Sequence, residues 1–262
     1  MPSYFTPALT AYILFLALAL GACMGSFLCC VAFRAAKGDK RPWQGRSHCD
    51  HCGRTLGFLD LVPIMSWLCL RGRCRTCGAK IGLRSLFVEC LCAAVFCSAV
   101  WRFGLGWQTL EVLILACCLV YLSLVDLDTM ELPGVPMLVG AVSWLIFLFA
   151  HPDPTARLLW GLVGAVCIGG GVLLVSLVAD KLMGRETMGG GDIKLLALLG
   201  LYLGPGGGLL LLILACVAGL LFAALSGAGR GREFPFGPAI ALAAWPAVLF
   251  SEAVLNWYLG LF

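Results

Sequence analysis

The apolar run ALTAYILFLALALGACMGSFLCCVAF fills residues 8–33 and contains no charged side chain. A helix of roughly 20 such residues crosses the hydrocarbon core of a bilayer. A secretory signal peptide would carry a basic region before the run, but here Arg34 and Lys37 follow it instead. We therefore expect an uncleaved first membrane helix with its N-terminus outside.

Seven more apolar runs follow in a chain that is 61% hydrophobic and 12% charged. Soluble domains carry roughly 25% charged residues, so a soluble protein is excluded. The pattern predicts an all-α, polytopic membrane protein with about eight transmembrane helices in contact with membrane lipid. The sixth run is too short to cross a bilayer alone. The seven runs are Leu86–Trp101, Gln108–Val125, Val135–Ala150, Arg157–Ala179, Asp192–Leu203, Gly208–Gly227 and Gly237–Leu261.

One polar segment, residues 34–84, interrupts the apolar pattern and holds 11 of the 18 Lys and Arg residues. Short loops rich in Lys and Arg stay in the cytoplasm, which places this segment inside and both termini outside. The opposite face has only Arg102 and Arg157. The net charge of +4 then reflects topology and requires no nucleic-acid partner. We expect three parts: a first helix (1–33), a small cytoplasmic zinc domain (34–85) and a transmembrane core (86–262).

Two C-x-x-C pairs lie in the polar segment, Cys49 with Cys52 and Cys74 with Cys77, separated by 21 residues. Disulfides do not persist in the reducing cytoplasm. Four thiolates in two such turns suit a tetrahedral structural zinc site with no open position for water. A redox loop is the alternative interpretation, and either His48 or His51 could replace one cysteine as ligand.

Two carboxylates lie at the ends of apolar runs, Asp126 after the third run and Asp192 before the sixth. Ionisable groups in such places indicate function by default. The topology brings both to the cytoplasmic side, where one could act as a base and the other as an acid on a peptide bond. Alternatively, Asp128 is the functional residue, or Asp192 only caps a helix. The glycines Gly189, Gly190 and Gly191 would let a substrate strand approach the backbone.

These motifs resemble those of the type IV prepilin peptidases over nearly the whole chain. The resemblance extends to several further segments. Cys29 and Cys30, in place of Asn-Val, and Gly134, in place of Asp, depart from the family pattern. The matching segments are Gly25-Ser-Phe-Leu28 with Arg34, Asp60 to Trp67, Arg71 to Cys74, Arg84 to Glu89, Asp126-Leu-Asp128-Thr-Met-Glu-Leu132-Pro133, Gly189-Gly-Gly-Asp192-Ile-Lys194 and Pro235-Phe-Gly-Pro238.

The resemblance implies a bifunctional enzyme of the bacterial inner membrane. Asp126 and Asp192 would be the catalytic pair of an aspartyl peptidase, acting on prepilins or type II secretion pseudopilins at the cytoplasmic face. The new N-terminal amine would then be methylated from S-adenosylmethionine. We expect Glu89 and Lys194 to support the site. Three acidic residues are candidates to receive the basic leader: Glu131, Glu186 and Glu233.

Two other function classes remain open from the residues themselves. An ion-coupled membrane transporter with a zinc-stabilised regulatory loop would use paired aspartates to relay protons or bind cations. A nonenzymatic assembly scaffold would tolerate aspartate substitutions.

Overall fold

The computed structural model describes residues 6–225 and 235–261. Within these residues the structure is helical and has no strand, apart from the isolated bridges His48–Thr55 and Arg73–Lys80. The predicted all-α class is therefore confirmed. The α-helices are α1 (Pro7–Ala36), α2 (Met65–Cys69), α3 (Leu83–Phe103), α4 (Trp107–Thr129), α5 (Gly134–Leu148), α6 (Pro154–Ala165), α7 (Gly171–Met183), α8 (Gly190–Leu225) and α9 (Gly237–Leu259).

Six helical elements of the described chain are long and apolar enough to cross a membrane. They are α1, α3, α4, α8, α9 and the continuous element Pro154–Met183, in which a π-helical turn joins α6 to α7. The apolar helix α5 has only 15 residues and is shorter than these. The chain is thus a multi-pass membrane protein.

Helix α8 contains the predicted sixth and seventh runs as two limbs. Its helical geometry breaks at Gly204 (φ 67°, ψ −175°), and Pro205 follows. Ala197 on the first limb lies against Gly169, while Gly208 on the second lies against Ile168. An unbroken helix would separate positions 197 and 208 by roughly 16 Å, so the limbs fold back on each other. Counted separately, they make the predicted eight helices consistent with the structure.

The chain divides into two compact units, Met1–Leu113 and Ile114–Phe262. In the first unit α1 packs closely against α3. A Cβ added at Gly25 would lie 2.8 Å from the carbonyl oxygen of Val88, and one at Gly21 would meet the backbone of Cys92 and Ala93. Small residues that let backbones approach are the usual means of joining helices in a membrane. The predicted three-part division of the chain stays a prediction.

The polar segment of the first unit is held together by charged side chains. Asp60 forms ion pairs with Arg54 (2.6 Å) and Arg75 (3.0 Å). Arg34, at the end of α1, donates hydrogen bonds to main-chain carbonyls of the segment, among them that of Gln44 at 2.8 Å. These contacts fix the polar segment to the end of the first helix.

The second unit packs its helices around a leucine- and alanine-rich core. Glycines again bring backbones together: a Cβ at Gly161 would lie 2.8 Å from the carbonyl oxygen of Leu201. The second limb of α8 runs antiparallel to α9, because Gly206 meets Leu255 and Gly219 meets Phe236. The most deeply buried members of this core include Leu195, Leu199, Leu211, Ile240 and Ala244.

Candidate functional site

Asp126 lies in the last turn of α4 and is buried, with 4% of its surface exposed. Its Oδ2 accepts a hydrogen bond of 2.9 Å from the main-chain N–H of Gly237, the first residue of α9. A Cβ at position 237 would stand 2.8 Å from that same oxygen. The site therefore needs both the N–H of residue 237 and the absence of a side chain there.

Asp192 is the third residue of α8, in the first turn, and is half-buried. Gly189 lies just before the helix, and a Cβ on it would be 3.4 Å from Asp192 Oδ2. This glycine leaves the carboxyl group accessible on that side.

Leu132 lies between a residue next to Asp192 and the hydrogen-bond partner of Asp126. Its side chain would be 2.9 Å from a Cβ at Gly191, next to Asp192, and 3.2 Å from a Cβ at Gly237, the partner of Asp126. The two carboxyl groups are close enough to interact electrostatically. The structure therefore places the predicted pair in one site of the second unit, built from the end of α4 and the starts of α8 and α9.

The other acidic candidates of this unit differ from the pair in their exposure. Asp128, Glu131 and Glu186 are exposed, whereas Asp126 is buried. Glu233 lies outside the described residues. Exposure suits the predicted role of Glu131 and Glu186 in receiving a basic segment.

The two predicted supporting residues occupy different surroundings. Lys194 is exposed on α8, two residues after Asp192. Glu89 belongs to the first unit, on α3, and is buried; its Oε2 accepts a 2.7 Å hydrogen bond from the main-chain N–H of Ile64. The structure thus places Glu89 among the residues of the polar segment, and its support of the peptidase site stays a prediction.

The four cysteines of the C-x-x-C pairs converge in the first unit. Their sulfur atoms all lie within 4.8 Å of one another, and Cys49 Sγ is 3.9 Å from Cys77 Sγ. A tetrahedral zinc ion with bonds of about 2.3 Å holds its sulfurs roughly 3.8 Å apart, so the cluster fits that ion. The cluster found in the described residues contains neither His48 nor His51.

Backbone geometry supports this cluster. Gly53 and Gly78 have positive φ (68° and 69°) and follow the second cysteine of each pair, as that turn requires. Main-chain N–H groups of Cys77 and Thr76 lower the pKa of the Cys74 thiol to about 6. The Cys74 thiolate is therefore favoured at neutral pH, whereas burial and the neighbouring thiols raise the pKa of Cys77 to about 11.

Sequence reasoning missed the partners that hold the aspartates. The N–H of Gly237 and the side chain of Leu132 were visible only as parts of the motifs Pro235-Phe-Gly-Pro238 and Asp126 to Pro133. No local spacing connects residue 237 with a carboxylate 111 positions earlier.

Comparison with known proteins decides the family. The bacterial peptidase A24 N-terminal domain matches residues 19–103, and the type IV leader peptidase family matches residues 113–224. The prepilin leader peptidase/N-methyltransferase of Neisseria gonorrhoeae is 31% identical over 270 residues, covering 93% of this chain and 94% of the relative. The chain belongs to the type IV leader peptidase family.

Other relatives with the same name agree with this family membership. The protein of Aeromonas hydrophila is 38% identical over 220 residues, covering 82% of this chain and 74% of the relative. That of Pseudomonas aeruginosa is 33% identical over 266 residues, covering 92% and 91%. No solved structure matches the chain. The predicted family and the expectation of an enzyme are confirmed, and no finding favours the transporter.

Proposed function

We propose that this protein removes the basic leader of type IV prepilins or type II secretion pseudopilins and then N-methylates the new N-terminal residue. The observation that carries the peptidase half is the pairing of Asp126 and Asp192 around Leu132. Membership of a leader peptidase family and the names of the relatives support the substrate class and the second activity.

The contacts of the pair suggest a division of roles. Asp126 Oδ2 accepts a hydrogen bond from the main-chain N–H of Gly237. This hydrogen bond orients the Asp126 carboxylate as a proton acceptor. Asp126 would take a proton from water as the oxygen attacks the scissile carbonyl carbon, while Asp192 gives its proton to the carbonyl oxygen. When the C–N bond breaks, Asp126 returns its proton to the leaving amine, and Asp192 recovers one as the carbonyl re-forms.

The substrate's two parts would meet different surroundings. Its hydrophobic helix would lie among the spans, and its basic leader would meet exposed acidic side chains near the pair. Glu131 lies five residues after Asp126, and Glu186 lies six residues before Asp192; both are exposed. Such pairing would steer the junction of leader and helix towards the carboxyl groups.

Two cofactors complete the proposal. Cys49, Cys52, Cys74 and Cys77 would hold one zinc ion, and four thiolates leave no position for reactive water, so the metal would be structural. S-adenosylmethionine would supply the methyl group for the second reaction. Family membership supports a location in the bacterial inner membrane, and the Lys and Arg distribution supports a cytoplasmic position for the peptidase site and the zinc domain.

The direct test is mass spectrometry of a purified prepilin after incubation with this protein and S-adenosylmethionine. We expect loss of the leader and addition of one methyl group to the product. Asp126→Asn and Asp192→Asn should each abolish cleavage, while the neighbouring exposed control Asp128→Asn should retain substantial activity. Normal cleavage by either of the first two variants would disprove the mechanism. Loss of cleavage only in Asp128→Asn would show that the base is Asp128.

A further inference from the structure

The first unit contains a cavity of about 420 Å³ beside the four-cysteine cluster. Its walls come from α1, α2, α3 and the polar segment, with Phe33, Trp67 and Glu89 among them. Ligand sites in proteins have volumes of roughly 300–1,000 Å³, so the cavity can hold a molecule of cofactor size. The peptidase mechanism uses none of these residues.

Glu89 gives one side of the cavity wall a negative charge. It is 7% exposed, and the hydrogen bond it accepts comes from a neutral main-chain N–H, that of Ile64. Asp60, the other buried carboxylate of the wall, is already in ion pairs with Arg54 and Arg75. A buried carboxylate is stable when a cation lies next to it. The Glu89 side therefore favours a ligand that brings positive charge.

The backbone facing Glu89 is held in an uncommon conformation. Ile64 has φ 61°, a value that β-branched residues rarely adopt. Strain of this kind is concentrated at ligand sites, where the surrounding structure enforces it. Here it directs the Ile64 N–H at the carboxylate and keeps Glu89 in the cavity wall.

Aromatic side chains supply a second kind of recognition. The Trp67 ring is fixed against Gly72, where a Cβ would lie 2.7 Å from Cζ2; the φ of +65° at Gly72 also favours glycine. Phe33 lines the cavity from α1. Fixed aromatic faces bind both planar bases and cations. The lining also carries basic groups, including Lys80 and Arg84, that suit a carboxylate on the ligand.

We propose that this cavity binds S-adenosylmethionine, with Glu89 facing its positive charge and Trp67 providing an aromatic contact. The inference rests on the methyl transfer proposed above and gives that reaction a site. The ligand combines a sulfonium cation, an amino acid carboxylate and an aromatic base, which matches the three kinds of group in the wall. Cys49 and Cys74 also line the cavity, so the metal cluster shapes it.

Binding is measured directly by equilibrium dialysis of the full-length protein in detergent, without prepilin. Glu89→Gln should weaken binding of S-adenosylmethionine at least about tenfold, because it removes the charge and keeps the shape. The same variant should weaken binding of S-adenosylhomocysteine less, because the sulfur of that ligand is neutral. Trp67→Ala should weaken both ligands, whereas Trp101→Ala, an exposed residue of α3 outside the cavity, should weaken neither.

Photocrosslinking of labelled donor to the wild-type protein makes the test independent of variant folding. Label on peptides from residues 26–33 or 47–89 supports the proposal, and label confined to residues after 113 overturns it. Unchanged affinity in both Glu89→Gln and Trp67→Ala also overturns it. Cleavage of prepilin in the same preparations tests the peptidase half separately, so failure of one does not imply failure of the other.

Discussion

Replacement of Gly237 by Ala tests the assembly of the peptidase site with a single added methyl group. The new Cβ would stand 2.8 Å from Asp126 Oδ2, 3.3 Å from its Cγ and 3.2 Å from Leu132 Cδ2. Gly237 is not among the glycines with positive φ, so Ala fits the backbone there. Alanine also keeps the main-chain N–H that donates a hydrogen bond to Asp126. The perturbation is therefore steric and is directed at one carboxylate.

The size of the effect follows from these distances. Comfortable contacts between heavy atoms begin at about 3.5 Å, so the carboxylate must move by roughly 0.7 Å. A misplacement of about 1 Å at a catalytic group can cost about 100-fold in rate. We expect the rate of leader cleavage to fall roughly 30-fold, with binding of the prepilin largely retained.

Single-turnover cleavage with enzyme in excess measures that rate directly. Gly171→Ala is the matched control, because it adds the same methyl group at an exposed helical position with nothing within 4 Å. Melting temperatures of both variants in the same detergent establish that they are folded. A cleavage rate for Gly237→Ala equal to that of Gly171→Ala would refute the proposed positioning of Asp126.

Three further outcomes are expected. Metal analysis of protein purified without chelator should find one zinc ion per chain, and the absence of zinc would contradict the four-thiolate site. The double variant Cys49→Ser, Cys52→Ser should lose methylation more severely than cleavage, and retained methylation with lost cleavage would reverse that assignment. Gly164→Ala should destabilise the protein by about 1–3 kcal/mol, because its Cβ would collide with the backbone of α8. Equal melting temperatures for Gly164→Ala and Gly171→Ala would show that α6 and α8 pack less closely than described.

Local sequence patterns predicted the helices and the cysteine cluster, because membrane spans and C-x-x-C metal sites are local features. The apolar runs correspond to helices, and the gap between the sixth and seventh runs coincides with the break at Gly204 and Pro205. A glycine followed by proline ends a helix by its own chemistry, without help from distant residues. The C-x-x-C spacing likewise brings Cys49 and Cys52 together within one turn.

Long-range contacts were beyond the reach of the same reasoning. The hydrogen bond between Gly237 and Asp126 joins positions 111 residues apart, and no periodicity marks it. Glu89 shows the same limit: its charge at the edge of a span was visible in the sequence, but its hydrogen-bond donor, the N–H of Ile64, was not. Main-chain donors of this kind cannot be predicted from the composition of the sequence or from the spacing of its residues.

The arrangement of polar groups suggests how one chain could contain two chemistries. The first family match ends at residue 103, and the second begins at residue 113, which is the last residue of the first compact unit. The cysteine cluster and the cavity belong to the first unit, and the paired aspartates belong to the second. Each unit also has its own close helix packing, through Gly25 or Gly161. Loss of the metal cluster should therefore weaken methyl-donor binding first, since Cys49 and Cys74 are part of the cavity wall. Cleavage should be lost only if the whole protein unfolds.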